Sequence, residues 1–325
     1  MTKVQIFASP PEALKARLRS HIPVSLPLIR RLQFAGFPGG ITEYAKILWV
    51  SRVALEDSKG DAGDEPFAAG YLDFSRGPET ELWIYSSLEH CVRRNSYIDG
   101  TDRTGGKEEH GEEIACALAL LREVKNQQDV YFAPGSVQAA ERPYPTMLIG
   151  NMGENLRLRL TENVVFTHTG VYDKWVFDID ALPDAKLHEE GEKGWVWDKV
   201  REKDLPFMLS RTGILRTPRT MRLLPSTALY ASDGTPIAWA FLGPDSSLSS
   251  LHCEEPYRGK GIAKVVAVKL LRDHLGDYGV EGSTMGWADV DPSNVQSQAV
   301  CRGLKAEVKW QISWSRLDLN LSFPD

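Results

Sequence analysis

The sequence predicts a mixed α/β (α+β) fold, a largely antiparallel sheet flanked by helices, spread over two domains. Three observations carry this. First, 325 residues exceed the usual size of a single hydrophobic core, and the polar, charge-rich stretch DIDALPDAKLHEEGEKG offers a break near residues 185–193. The domains are therefore expected at 1–188 and 189–325. Second, STALYASDGTPIAWAFLGPDSSLSSLHCEE sets apolar runs between the turn signals SDGTP and GPDSS, the pattern of an antiparallel three-stranded meander. Third, the meander runs into EEPYRGKGIAKVVAVKLL, a glycine-rich turn that opens an apolar-patterned helix.

Taken in order, Leu14, Leu18 and Ile22 fall at helical spacing after the Pro-Pro pair, and a second, proline-marked helix follows. AKILWVSRVAL and FAAGYLDF read as strands on either side of the Gly-rich linker EDSKGDAGDE, and ELWIYSSLEH as a third. The charged loop IDGTDRTGGKEEHGEE leads to a helix over EEIACALALLREV, and turn-like signals then surround the apolar TMLIG. LRLRLTENVVFTHTGVYDKWVF alternates as strands do. Beyond the break, GWVWDKVREKDLPFMLSRT predicts a short strand and a helix capped by Asp204 with Pro206 in its first turn, and PRTMRLLP continues the helical region. After the meander and its helix come a strand STMGWADV, a helix opened by Asp291, Pro292 and Ser293, and a closing strand EVKWQISWSRL.

Composition narrows the function classes. With 42% hydrophobic and 25% charged residues the chain is of ordinary globular type, and a formal charge of −6 argues against a general nucleic-acid binder. No signal-peptide core and no long apolar span are visible, so a cytoplasmic protein without membrane partner is expected. Cys91, Cys116, Cys253 and Cys301 are scattered without a CxxC pair, which predicts reduced thiols and no metal site.

The chemistry concentrates around residue 260. A helix start preceded by glycines presents unpaired backbone N–H groups and the positive end of the helix dipole, a setting for phosphate or pyrophosphate, and Arg258 and Lys260 add charge. Ile262 and Ala263 stand where a P-loop needs its hydroxyl, and the preceding strand ends an antiparallel meander, which a dinucleotide fold does not have. What these residues do resemble is the signature of the GNAT superfamily of acyl-CoA-dependent N-acyltransferases: Arg or Gln, two residues, Gly, one residue, Gly or Ala. It stands here as Arg258, Gly259, Lys260, Gly261, Ile262 and Ala263. VREKDLPFML and ADVDPSNVQSQAVCRGLK match further elements in order, so the resemblance spans about residues 194–318 and is closest to the two-domain, glycine N-acyltransferase-like branch. In that branch an N-terminal half of related fold lacks the cofactor loop, and residues 1–185 contain no match to the signature.

The resemblance implies that the pyrophosphate of an acyl-CoA, by default acetyl-CoA, rests on the amides from Gly259 to Ala263. It implies that Leu251 and Cys253 flank the pantetheine arm on a strand that splays near Glu254, and that Asn294 holds the other side, with Ser297 one turn on. The acceptor would be a small-molecule amine or amino acid, acylated by direct transfer. Two departures stand out. Where relatives carry a strand glutamate as base, residues 246–250 are Ser-Ser-Leu-Ser-Ser, leaving His252, Glu254 and Glu255 as the nearest titratable groups, with a water chain as the alternative; His252 and Glu254 are each either a base or a structural side chain. Where relatives carry a tyrosine acid, Cys301 stands, either as the acid or as a small core residue. Trp239, Trp287, Trp310 and Trp314 are core or pocket wall, with Trp287 and Trp314 candidates for an acceptor site, and Asp289 is a candidate to orient the amine. The two departures keep open a non-catalytic acyl-CoA-binding protein, and an enzyme using the same pocket for another biosynthetic reaction.

Overall fold

The computed structural model describes residues 2–58, 65–95, 110–136, 145–187, 194–279 and 284–324. Its contacts divide the chain into one unit of Met1–Tyr172 with Trp310–Asp325 and a second of Asp173–Lys309. The break expected at 188/189 lies outside the described residues. The division differs from that expectation in its second cut as well: the last sixteen residues, expected in the second domain, complete the first unit.

Unit 1 begins with strand β1 (Lys3–Phe7) and helices α1 (Glu12–Arg19) and α2 (Leu26–Phe34). Strands β2 (Lys46–Ser51), β3 (Phe67–Leu72) and β4 (Leu82–Ser86) follow, and β1–β2, β2–β3 and β3–β4 are antiparallel neighbours. Helices α3 (Leu88–Asn95) and α4 (Gly111–Tyr131) lead to β5 (Met147–Gly153) and α5 (Glu154–Leu160). Strands β6 (Val165–Asp178) and β12 (Glu307–Asp318) each contain one of the two cuts, and in unit 1 the sheet order is β1-β2-β3-β4-β5-β12-β6. Its core joins Leu48, Val50, Ala68, Leu82 and Ile149 to Leu120, Leu121 and Val124 of α4, so the sheet buries one face under the long helix.

The pattern LRLRL illustrates how alternation misleads over five residues. It predicts a strand, but Leu156 and Leu160 lie four apart and are fully buried while Leu158 is 52% exposed, which is one helical stripe. β4 and β5 run parallel, paired only at Leu82–Ile149 and Trp83–Gly150. Past that point the space against β5 is filled: a Cβ on Gly153 would meet Glu89 Oε2 at 2.3 Å. Trp314, a candidate for an acceptor site, instead packs edge-on against Trp83 at 5.4 Å within unit 1 and crowds Gly150.

Unit 2 contains β7 (Val196–Asp198), α6 (Leu205–Leu209), α7 (Pro218–Met221), the meander β8 (Ser226–Tyr230), β9 (Pro236–Leu242) and β10 (Leu248–Cys253), then α8 (Ile262–His274), β11 (Met285–Val290) and α9 (Val295–Gly303). The meander forms a four-stranded antiparallel sheet, β10-β9-β8-β7. β11 pairs instead with the Asp173–Asp178 end of β6. β10 and β11 therefore lie side by side without a shared ladder, each an edge of its sheet. α9 is capped by Asn294, whose Oδ1 accepts from Ser297 N at 3.0 Å; Asp291, the expected cap, binds Ser293 N and Oγ one turn earlier. Asp204 does precede α6, with Pro206 in the first turn, but its side chain makes no cap hydrogen bond. Among the described residues no helix is long and apolar enough to cross a membrane.

Candidate functional site

The turn between β10 and α8 is built by two glycines. Gly259 has φ 77° and Gly261 φ 76°, left-handed values that cost a side-chain-bearing residue free energy, and a Cβ built on either would touch nothing within 4 Å. Their backbone shape, not crowding, calls for glycine, and the space above them is open. Gly261 caps α8, so the first N–H groups of a thirteen-residue helix face that space without intrahelical acceptors. Arg258 folds back, its Nε donating to the Cys253 carbonyl at 2.9 Å, which ties the loop to the end of β10.

A cleft of about 830 Å³ extends from this turn between β10, α8 and α9. Of the residues singled out from sequence, Leu251, His252, Cys253, Arg258, Gly259, Gly261, Ile262, Ala263, Asn294 and Ser297 line it. Lys260 does not; its ammonium stands 5.9 Å from the Tyr257 ring. Tyr257, Lys264 and one face of α9, with Gln296, Ala299, Val300 and Gly303, complete the wall. The α9 face was available in the sequence as an i, i+3, i+4, i+7 stripe of uncharged side chains, and Tyr257 as the neighbour of the signature arginine.

β10 carries a bulge. Ser249 pairs with Phe241 and His252 with Trp239, three residues against two, and Ser250 takes φ 50°. The bulge turns the end of the strand so that consecutive residues, Leu251, His252 and Cys253, all reach the cleft, which strict alternation would forbid. His252 lies flat on Trp239, ring centroids 4.6 Å apart, and its burial pushes the imidazole pKa below 6.5. His252 Nε2 is 3.3 Å from Glu254 Oε1, an ion-pair distance without the alignment of a hydrogen bond. The same carboxylate oxygen accepts from Arg211 Nε at 3.1 Å. Arg211 in turn stands 4.8 Å over the Phe207 ring, and Phe207 meets Trp239 edge-on at 5.8 Å. Five side chains thus close a ring that fastens α6 to the end of β10.

Cys301 is not brought into the cleft. It is 2% exposed on the inner side of α9, and burial pushes its thiol up to about 12. The structure places it in the core, outside the cleft lining, against the expectation of a proton donor there. Cys253 borders the cleft, and burial raises its thiol pKa as well. Asp289 faces inward, its Oδ1 2.6 Å from the Nζ of Lys174, a lysine with no exposed side-chain surface. Trp287 is 2% exposed and donates from Nε1 to Asp245 at 3.4 Å. Among the described residues no cluster of His, Cys, Asp or Glu is arranged to hold a metal ion.

The family described as the acyl-CoA N-acyltransferase verG N-terminal domain matches residues 3–175. A Drosophila protein of known crystal structure has the same fold over 98% of this chain and 99% of its own, at 14% identity and a TM-score of 0.60. A tandem GNAT protein from the clavulanic acid biosynthesis pathway covers both chains fully at 9% identity and a TM-score of 0.49. A GCN5-related N-acetyltransferase from Sphaerobacter thermophilus covers 96% of this chain and 95% of its own at 15% identity and a TM-score of 0.47. Among curated proteins none matches this sequence. The chain, matched over more than half its length by that family and carrying the GNAT signature in its second half, belongs to the two-domain GNAT N-acyltransferases.

Proposed function

We propose that the chain transfers an acyl group, acetyl by default, from an acyl-CoA to the amine of a small molecule or amino acid. The observation that carries this is the turn of Gly259 and Gly261: two left-handed glycines with open space above them, at the start of α8 and the mouth of an 830 Å³ cleft. Its backbone amides and the helix dipole suit the two phosphates of coenzyme A, and Arg258 and Lys264 add positive charge at the same end. The cleft, with the unpaired edge strand β10 along one side, suits an extended pantetheine arm, which can take up backbone hydrogen bonds as an added strand would. Of the backbone groups there, the Cys253 carbonyl already accepts from Arg258. The Asn294 carboxamide keeps its N–H donors for the arm, since the helix cap uses only its oxygen.

The bound thioester supplies an activated carbonyl. The attacking amine must be neutral and must lose a proton as its C–N bond forms and the C–S bond breaks. His252 lines the cleft, and its lowered pKa keeps the imidazole neutral and able to accept that proton at neutral pH. Glu254, 3.3 Å away, stabilises the imidazolium that results, and Arg211 holds Glu254 in place. With Cys301 in the core, the leaving thiolate takes its proton from solvent or from the imidazolium.

Calorimetry with coenzyme A and acetyl-CoA tests the cofactor site, and chromatography of amides formed from a panel of amines tests transfer. Absence of binding by the unaltered chain would refute the proposal. Binding without amide formation from any amine would favour a non-catalytic acyl-CoA-binding protein.

A further inference from the structure

A second cavity, of about 660 Å³, opens in unit 2 and shares no lining residue with the cleft just described. Its floor is closed core: Leu229, Val265 and Val268 are 0%, 8% and 3% exposed. Its walls are the indoles of Trp195 and Trp197, both only half-buried, at and beside β7, the edge strand of the meander sheet. Two tryptophans on one short edge segment each keep part of the indole accessible at the cavity. They are also held in place. Trp195 meets Tyr257 edge-on at 5.7 Å, and the Lys269 ammonium stands 5.8 Å from the Trp197 ring.

The rim is cationic. Lys186, Lys269 and Arg272 border the cavity, the last two on the α8 face that carries Val265 and Val268. Lys269 pairs with Asp273 at 2.7 Å, and Arg272 lies 3.6 Å from Asp184 while donating to the Leu182 carbonyl. Among the described residues no ion pair involves Lys186. Among the described residues three cations thus stand against two carboxylates at this rim, in a chain of formal charge −6. The volume falls within the roughly 300–1,000 Å³ typical of small-ligand sites.

We propose that this cavity is a second ligand site, for a small molecule that joins a flat aromatic body to a single anionic group, such as an aromatic carboxylate or sulfonate. The flat body lies against the two indoles over the apolar floor, and the anion meets Lys186 and Lys269 at the rim. The site does not depend on acyl transfer, and its ligand can be present together with one in the cleft on the other side of the α8 N-terminus.

The test uses 8-anilinonaphthalene-1-sulfonate titrated onto the full chain in saturating coenzyme A, followed by its fluorescence. The expected result is one site per chain, retained in coenzyme A, with affinity at least ten-fold above that of N-phenyl-1-naphthylamine, which has the same rings without the sulfonate. A Lys186→Glu, Lys269→Glu double variant, both changes at the rim, loses at least ten-fold in affinity, and so does Trp197→Ala. Equal binding of the charged and uncharged probes, displacement by coenzyme A, or unaltered affinity in the rim variant would overturn the proposal. Near-ultraviolet circular dichroism identifies any variant that has lost its fold, and the probe pair decides the matter on the unaltered chain regardless.

Discussion

Replacing Gly261 by alanine separates what the loop costs from what it does. Gly261 sits at φ 76° and ψ 3°, and nothing lies within 4 Å of an added Cβ, so the substitution meets no steric neighbour. Its only stability cost is the left-handed backbone, about 1–2 kcal/mol, which lowers the melting temperature by roughly 2–8 °C on the usual scaling of domains of this size. Gly279, at φ 63° and ψ 38° beyond the other end of α8, is an internal control: it has the same kind of backbone and the same open space, and it lies outside the cleft. Gly279→Ala should destabilise to a similar degree. The binding effects should part. The methyl at 261 projects into the space where phosphate approaches the amides, and losing one or two charge-assisted hydrogen bonds there removes about 1.5–3 kcal/mol each, so calorimetry should show coenzyme A affinity falling at least ten-fold. The methyl at 279 should leave affinity unchanged. If both variants bind coenzyme A as the parent does, the phosphates do not rest on this turn, and the reasoning from its geometry fails.

Three further outcomes follow from the site and its surroundings. With the His252 pKa held below 6.5 by burial, the unfolded chain binds the proton more readily than the folded one, so stability falls as pH drops below about 6.5 and is level above it; kcat/KM should rise over the same acid range, and His252→Gln should abolish both slopes in denaturation and rate profiles. Cys301→Ala should leave the pH–rate profile unaltered while lowering stability by about 1–2 kcal/mol through the small cavity it opens, and a shifted alkaline limb would restore Cys301 as a proton donor. Lys174→Met should cost roughly 3–5 kcal/mol in urea denaturation by removing the buried cation beside the inward-facing Asp289 carboxylate, and adding Asp289→Asn should recover part of it; a cost below about 1 kcal/mol would mean that the pair is not electrostatically coupled.

The loop was legible in the sequence because everything it needs is local. Two glycines, a helix pattern and a preceding meander fall within some forty residues, and backbone preference alone dictates their shape. The meander turns, the α8 start and the Asn294 position follow in the same way. What failed locally did so for identifiable reasons. LRLRL alternates for five residues, too short a window to separate a period of two from one face of a helix, and burial of Leu156 with Leu160 decided for the helix. Asp291 and Asn294 both favour a cap; the turn closed by Asp291 on Ser293 moved the helix start three residues on. The return of Trp310–Asp325 to the first unit left no local mark, since a strand's partner is set by tertiary pairing: β12 bonds to β5, more than 150 residues earlier in the chain.

The side chains proposed for catalysis were the least legible part, and the ring around His252 shows why. Its members come from α6 and the turn after it, from β9, and from β10 and the residue that follows it, and the Arg211–Glu254 bond alone spans 43 residues. Each looks ordinary in sequence: an arginine after a short helix, a strand tryptophan, a carboxylate at a strand end. Only the bulge at Ser250 turns His252 onto Trp239 while keeping it open to the cleft, and a bulge is one extra residue in a register that sequence does not display. In the proposed mechanism the ring is what lets a chain lacking a strand glutamate present a base. The charge of Glu254 is delivered indirectly, beside an imidazole that burial keeps neutral, and Arg211 prevents that carboxylate from turning away. On this account Arg211 positions the base without touching the reacting atoms. Arg211→Ala should therefore lower kcat more than it raises KM and shift the acid limb of the rate profile, with coenzyme A affinity intact, whereas a purely structural role for Arg211 would lower melting temperature and leave that limb where it was.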